Sequence, residues 1–234
     1  MMNGHKFDFA SDVINIIALI YDYSTSMRDD VNAIRTANAA FYEDFSRFEE
    51  KGSIAISKMC FSDDYTMTPF ASVSKFDTSY RVIGGTKLYR AITAAAQETI
   101  DYYTELTKRL NVRPRITFLV FTDGEDNNNY ESEISKAKQM ITRLNSLDAT
   151  TVLVAFRDAI ASQAGEKLGF TCTRDISSTA ELVSCLGTEL SRSCKEQSKS
   201  AYSLKSQFFS KAATPGEETP NPNEVVMADS FFNV

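Results

Sequence analysis

Nine residues, Val13-Ile14-Asn15-Ile16-Ile17-Ala18-Leu19-Ile20-Tyr21, form a near-continuous apolar, β-branched run that stops abruptly at Asp22-Tyr23-Ser24-Thr25-Ser26. A run of this kind suits a strand buried on both faces, as in a parallel sheet covered by helices. It is too short to span a bilayer. The next stretch has a different period. Val31, Ile34, Asn38, Phe41, Phe45 and Phe48 step by three and four and so share one helix face.

The alternation continues along the chain. Residues 54–61 read as a second strand, and 65–73 as a third that carries Pro69. Proline removes a ladder donor, which sends that strand to an edge, and the short 62–64 link makes it antiparallel. A loop over 74–86 ends in Gly84-Gly85-Thr86. A long helix then carries Leu88, Ile92, Ala95, Thr99, Tyr103, Leu106 and Leu110 on one stripe, stopped by Pro114. Strands come at 116–121, 150–156 and 170–173, with helices around 134–144 and 159–168 between them. Ser178-x-x-Glu181 is a capping box that opens a last helix with Leu182, Leu186 and Leu190. Strands alternating with helices predict an α/β fold: a doubly wound, mostly parallel six-stranded sheet with one antiparallel edge strand and helices on both faces.

Composition narrows the function. The net charge is −6, with a single histidine, His5, and no tryptophan. An acidic chain lacks the basic face that phosphates require, so nucleic acid is not an expected partner. One imidazole cannot support multi-histidine metal chemistry or a Ser–His–Asp hydrolase built around the N-terminal arm. Cys60, Cys172, Cys185 and Cys194 make no C-x-x-C pair. A chain that can build its own core has no need of a disulfide framework, so they are expected to be buried thiols in a reducing compartment. The N-terminus does not read as a signal peptide, and a cytoplasmic location without membrane contact is the expectation.

Three strand ends carry short polar motifs: Asp22-x-Ser24-x-Ser26, Gly84-Gly85-Thr86 and Thr122-Asp123-Gly124. In a parallel sheet all three open at the carboxyl edge, where ligands of such folds bind. Two carboxylates and three hydroxyls are hard oxygen donors, which suits Mg²⁺ first and Mn²⁺ second. They under-fill such an ion, so an outside carboxylate would complete the set. Gly84 and Gly85 let the backbone approach the site, and Gly124 lets it turn away after Asp123. Each motif alone has an ordinary reading. Asp and Ser are common in loops, and Ser26 and Thr86 are plausible helix caps.

Taken together, the motifs, their order and their strand–helix setting resemble the von Willebrand factor type A (vWA) domain, over roughly residues 10–195. That family has a Rossmann-like sheet with an antiparallel edge strand and a metal-ion-dependent adhesion site. The resemblance implies that Ser24, Ser26 and Thr86 ligate the ion, while Asp22 and Asp123 act mainly through water. It implies a non-catalytic protein-binding or scaffold module whose partner donates a Glu or Asp. The intracellular single-domain members, some linked to bacterial stress response and chaperones, are nearest in kind. Tyr23, Thr25, Gly85, Glu125 and Asp126 would form the rim that meets the partner.

Residues 1–197 are thus read as the domain. Residues 198–234 are read as an acidic, proline-containing tail, either disordered or bound to a partner, with Phe231-Phe232 as a docking peptide for another protein in the second case. Between 212 and 234 there are four acids, Glu217, Glu218, Glu224 and Asp229, and no Lys or Arg. Any of the four is a candidate for the missing carboxylate, in the same chain or in self-association. Two other readings stand. One is a metal-assisted phosphatase or hydrolase with Asp22 as nucleophile, although Ser24 occupies the position where such enzymes carry their general acid. The other is a metal-free structural subunit.

Overall fold

In a computed structural model of the chain, the described residues are 14–48, 53–111, 113–124, 126, 130–157, 159–199 and 208–209. The apolar runs form strands β1 (Asn15–Asp22), β2 (Ile54–Phe61), β5 (Arg115–Thr122) and β6 (Thr150–Phe156), with β3 (Tyr65–Met67), β4 (Ala71–Ser72) and β7 (Cys172–Ile176) at the margins. The helices are α1 (Val31–Ser46), α2 (Leu88–Leu110), α3 (Glu131–Ser146), α4 (Ala159–Leu168), α5 (Thr179–Val183) and α6 (Leu190–Lys199). A π-helical turn, Ser184–Glu189, joins α5 to α6, and a 3-10 turn, Thr25–Asp30, precedes α1.

The sheet order is β3-β2-β1-β5-β6-β7, with β4 also on β2. β1 pairs parallel with β2 and β5, and β5-β6-β7 continue parallel. β3 and β4 run antiparallel to β2. The chain leaves β1 toward β2 on one side and meets β5 on the other, so the topological switch point lies between β1 and β5. The sheet therefore has seven strands rather than six. The stretch expected as one edge strand breaks at Thr68-Pro69-Phe70, where proline has no N–H for the ladder, and pairing resumes at Ala71.

Alternation along the central strands sends side chains to two cores. Ile16, Ala18, Ile20, Phe118 and Val120 pack under α2 and α3 with Ile92, Ala95, Ala137 and Ile141. Ile17, Leu19, Tyr21, Leu119 and Phe121 pack under α1, α5 and the π-turn with Ile34, Phe41, Phe45, Leu182 and Leu186. Every residue of β1 is buried, as the unbroken apolar run requires. α2 ends at Leu110, ahead of Pro114, because Asn111 takes the left-handed cap (φ 53°). The Ser178–Glu181 capping box forms. The final strand starts two residues later than expected and reads Cys-Thr-Arg-Asp-Ile, the polar pattern of an edge. All four cysteines are free thiols, Cys185 and Cys194 buried.

Phe208, read from sequence as tail, is fully buried in the α1-side core, and Phe209 lies under the Arg174 guanidinium, 4.9 Å from ring centroid to charge. At that point the chain is docked against β7 and belongs to the folded body. His5, Glu125, Glu217, Glu218, Glu224 and Asp229 lie outside the described residues. Among the described residues no helix is long and apolar enough to cross a membrane.

Candidate metal and partner site

β1 ends on Asp22 and β5 on Thr122, next to each other at the carboxyl edge. Asp22 is fully buried. Its Oδ2 accepts from Thr122 Oγ1 at 2.7 Å and its Oδ1 from the Ser24 backbone N–H at 2.8 Å. The Tyr80 hydroxyl donates to the Asp22 carbonyl from behind. Ser24 and Ser26 hydroxyls lie 2.9 Å apart. Ser26 Oγ donates to Asp123 Oδ1 at 2.9 Å, and Ser24 Oγ reaches the same oxygen at 3.5 Å. Four of the five sequence-predicted donors therefore meet in one hydrogen-bonded cluster.

Thr86 stands on the adjacent link. Gly84 O accepts from both the Thr25 backbone N–H (3.0 Å) and the Thr25 hydroxyl (2.8 Å), which ties that link to the first motif. Gly85 N–H donates to Asp63 Oδ2 at 3.1 Å. Gly84 sits at φ 74°, and a Cβ there would meet Asp63 Oδ2 at 2.2 Å, so both backbone conformation and space demand glycine. Gly124 needs no such freedom. Its φ is not positive and a Cβ would meet nothing within 4 Å, which corrects the expectation. Thr86 is buried, but its hydroxyl is not bonded to the other four donors, and Lys87 rather than Thr86 occupies the N-cap of α2.

Burial pushes the Asp22 carboxyl up to about 6, against the opposing pull of the Thr122 and Ser24 hydrogen bonds, and nearby Asp123 adds to the rise. Burial also raises Asp123, against the Ser26 bond. Two carboxylates that burial disfavours, joined through Ser24 and with hydroxyls beside them, form an all-oxygen set that a hard divalent cation would relieve. Among the described residues no group of three or more His, Cys, Asp or Glu side chains is gathered for a metal. The donor set here has two carboxylates, with neutral hydroxyls for the remainder. On donor chemistry the residues present fit Mg²⁺ or Mn²⁺.

Two predicted rim residues are not on the rim. Tyr23 points into the α1-side core, its hydroxyl donating to Ser79 O at 3.1 Å and its ring set edge-on to Tyr80. The strand pleat explains this, because Tyr23 continues the inward row of Tyr21. Asp126 is buried and accepts from the Tyr89 backbone N–H at 3.0 Å, so it caps the start of α2 from a neighbouring loop. Thr25 is exposed, although its hydroxyl is spent on Gly84.

Sequence reasoning did not single out Thr122, Tyr80 or Lys58. Lys58 is 1% exposed, and its Nζ donates to Asp77 O (2.9 Å) and Ser79 O among the rings of Tyr21, Tyr23 and Phe76. It holds the 76–80 segment whose Tyr80 braces Asp22. No signal in a single sequence separates a buried lysine from a surface one. The position of Thr122, last in the strand beside Asp123, was a usable hint.

Neither a protein-family model nor a curated protein sequence matches the chain. Solved structures do. The pilus adhesin SpaC from Lactobacillus rhamnosus GG superposes with TM-score 0.63 at 11% identity, over 79% of this chain and 30% of that one. The PilB minor pilin from Streptococcus sanguinis gives 0.53 at 12%, over 79% and 62%. The SpRpn10 VWA domain gives 0.51 at 15%, over 74% of this chain and 93% of its own length. The fold is von Willebrand factor type A-like. The chain spans under a third of the adhesin and under two thirds of the pilin, and at these identities the vWA-like likeness is one of fold.

Proposed function

We propose that this vWA-like chain is a non-catalytic protein-binding module that works through a divalent cation, Mg²⁺ or Mn²⁺, held by Asp22, Ser24, Ser26, Thr86 and Asp123. The observation that carries the reading is the convergence of the Ser24 and Ser26 hydroxyls on Asp123 Oδ1, from a motif 97–99 residues away. When bound, such a cation supplies the positive point on which a Glu or Asp carboxylate of a protein partner rests. Asp22 and Asp123 supply charge, and the three hydroxyls supply neutral oxygens. Thr122, the Ser24 N–H and Tyr80 hold Asp22 in place. The adhesin among the structural neighbours is by its name an attachment protein, which supports a binding role.

A hydrolytic reading with Asp22 as nucleophile has less support. Asp22 is fully buried, both its oxygens already accept hydrogen bonds, and Ser24 offers no carboxyl proton. The test is calorimetric titration of Mg²⁺ and Mn²⁺ into EDTA-stripped protein, beside Asp22→Ala and the double variant Ser24→Ala with Ser26→Ala. Saturable binding lost in both variants is expected. No binding to the unaltered chain overturns the reading.

A further inference from the structure

Among the described residues the large hydrophobic side chains that stand exposed are Tyr65, Ile83, Leu110 and Tyr130. Leu110 ends α2 at the far pole. The other three stand on segments at the carboxyl edge of the sheet, the edge that carries the cluster. Ile83 is 59% exposed and precedes Gly84, its N–H bonded to Tyr23 O at 2.7 Å, one residue from Ser24. Tyr130 is 62% exposed and four residues beyond the Asp126 cap on α2. Tyr65 comes directly after the 62–64 link, which is pinned to the glycine loop by Asp63 on Gly85 N–H and by Ser62 O on Lys87 N–H. Three exposed apolar groups at the edge that carries a two-carboxylate site fit an occupant with an acid beside apolar side chains.

The chain carries such a segment. Asp229-Ser230-Phe231-Phe232 sets one carboxylate beside two phenyl rings, in a stretch, 212–234, with four acids and no Lys or Arg. That charge complements a cation-loaded site. Phe209 anchors the chain on β7, and the twenty residues from there to Asp229 span at most roughly 66–72 Å. A domain of this size has a radius of gyration of about 16 Å, so the rim is within reach of the same molecule. Tethering makes the encounter intramolecular, at an effective concentration in the roughly millimolar range.

We infer that the chain's own Asp229–Phe232 segment occupies the site in cis, Asp229 meeting the cation and Phe231 and Phe232 lying against Ile83 and Tyr130. The segment is then a built-in competitor that a partner must displace. This rests on the metal reading above.

The experiment uses Mn²⁺ as both metal and paramagnetic probe on the ¹⁵N-labelled full chain. Expected is loss, by broadening, of the Ala228–Phe232 amide signals on addition of Mn²⁺. The signals should persist in Asp229→Asn combined with Phe231→Ser, and broaden less in Ile83→Ser with Tyr130→Ser. Mn²⁺ binding with sharp Ala228–Phe232 signals overturns the inference and leaves the metal site standing. Failure of Mn²⁺ to bind overturns both. Labelled Asp22→Asn chain mixed with unlabelled, Mn²⁺-loaded unaltered chain reads occupancy in trans. Broadening there equal to that in the labelled unaltered chain overturns the cis assignment.

Discussion

Thr122 Oγ1 lies 2.7 Å from Asp22 Oδ2, joining the last residues of two adjacent parallel strands one hundred positions apart. The same hydroxyl is 3.0 Å from Gly124 O and 3.3 Å from Gly124 N. One threonine thus fixes the buried carboxylate and the start of the loop that carries Asp123. Thr122→Val keeps the shape and removes the donor. An unsatisfied buried acceptor costs about 1–3 kcal/mol, more where it is charged. Urea unfolding should show that loss for Thr122→Val and a much smaller one for Thr122→Ser, and Mg²⁺ affinity should fall in the same order. Equal stability of Val and Ser variants would remove Thr122 from this role.

Asp22→Asn separates charge from structure. Burial disfavours the Asp22 carboxylate, so the neutral amide costs the metal-free fold little. Metal binding needs the charge. At one hundred times its dissociation constant, a ligand of the native state adds about 2.7 kcal/mol. The unaltered chain should show a Mg²⁺-dependent rise in Tm of that origin, and Asp22→Asn should show none. A rise of equal size in both would place the ion elsewhere.

Glycine substitutions test the loop geometry. Gly84→Ala places a Cβ at φ 74° and 2.2 Å from Asp63 Oδ2. The left-handed conformation alone costs about 1–2 kcal/mol, and the clash must also displace Asp63 from Gly85. Gly124→Ala meets open space without positive φ, so its effect should stay within about 0.5 kcal/mol. Comparable losses in chemical denaturation would contradict the assignment of Gly84 as the position that requires glycine.

How much of this could be read from the sequence depends on what each residue's neighbours reveal. The central strands were legible because burial on both faces demands unbroken apolar, β-branched runs, as at 15–22 and 115–122. The edges were less so. Pro69 marked an edge, but not that the strand would divide there, and the polar β7 resembles a loop. The meeting of Asp22, Ser24, Ser26 and Asp123 was legible because strand ends fix where residues open. Tyr23 and Asp126 were misplaced on the rim, since polarity says nothing of side-chain direction. Tyr23 is turned inward by the pleat, and Asp126 is drawn to the free N–H groups of a helix close only in space. Phe208 docks against elements far away in sequence, which a compositional view of the tail cannot show.

Lys58 makes stability depend on pH in a defined direction. Burial holds its ammonium below the usual 10.5, against the raising influence of Cys60 and Asp77. The unfolded chain therefore binds the proton more tightly than the folded one. Between the folded value and 10.5, unfolded chains carry more protons, and stability rises with pH. The contribution is complete above the unfolded value and is lost as pH falls through the folded one. Lys58→Met abolishes this dependence while leaving Asp77 O and Ser79 O without that donor. The difference in unfolding free energy between the unaltered chain and Lys58→Met should grow in favour of lysine as pH approaches 10.5 from below. A difference independent of pH would mean that Lys58 keeps the same affinity for its proton in both states.

Asp30 closes the 3-10 turn that carries Ser26, and it is buried against Arg157 at the end of β6. The guanidinium donates to Asp30 through two nitrogens, at 2.8 and 3.0 Å, and Thr179 Oγ1 adds a third bond at 3.1 Å. Arg157 itself sits at φ 62°, a conformation unusual outside glycine, with its N–H on Ile176 O. The carboxylate is 2% exposed while the arginine side chain is 47% exposed. The asymmetry sets the expected outcome. Removing Arg157 leaves a buried charge uncompensated, whereas removing both partners does not. The loss on breaking a fully buried pair is about 3–5 kcal/mol, and solvent access to Arg157 brings the expected cost of Arg157→Gln to about 1–3 kcal/mol. Adding Asp30→Asn should recover part of it. In a double-mutant cycle by urea unfolding, a coupling of at least about 1 kcal/mol is expected. Because the turn places Ser26 on Asp123, Arg157→Gln should also weaken Mg²⁺ binding although it touches no donor. Additive single effects with unchanged Mg²⁺ affinity would show that the turn holds its shape without this pair.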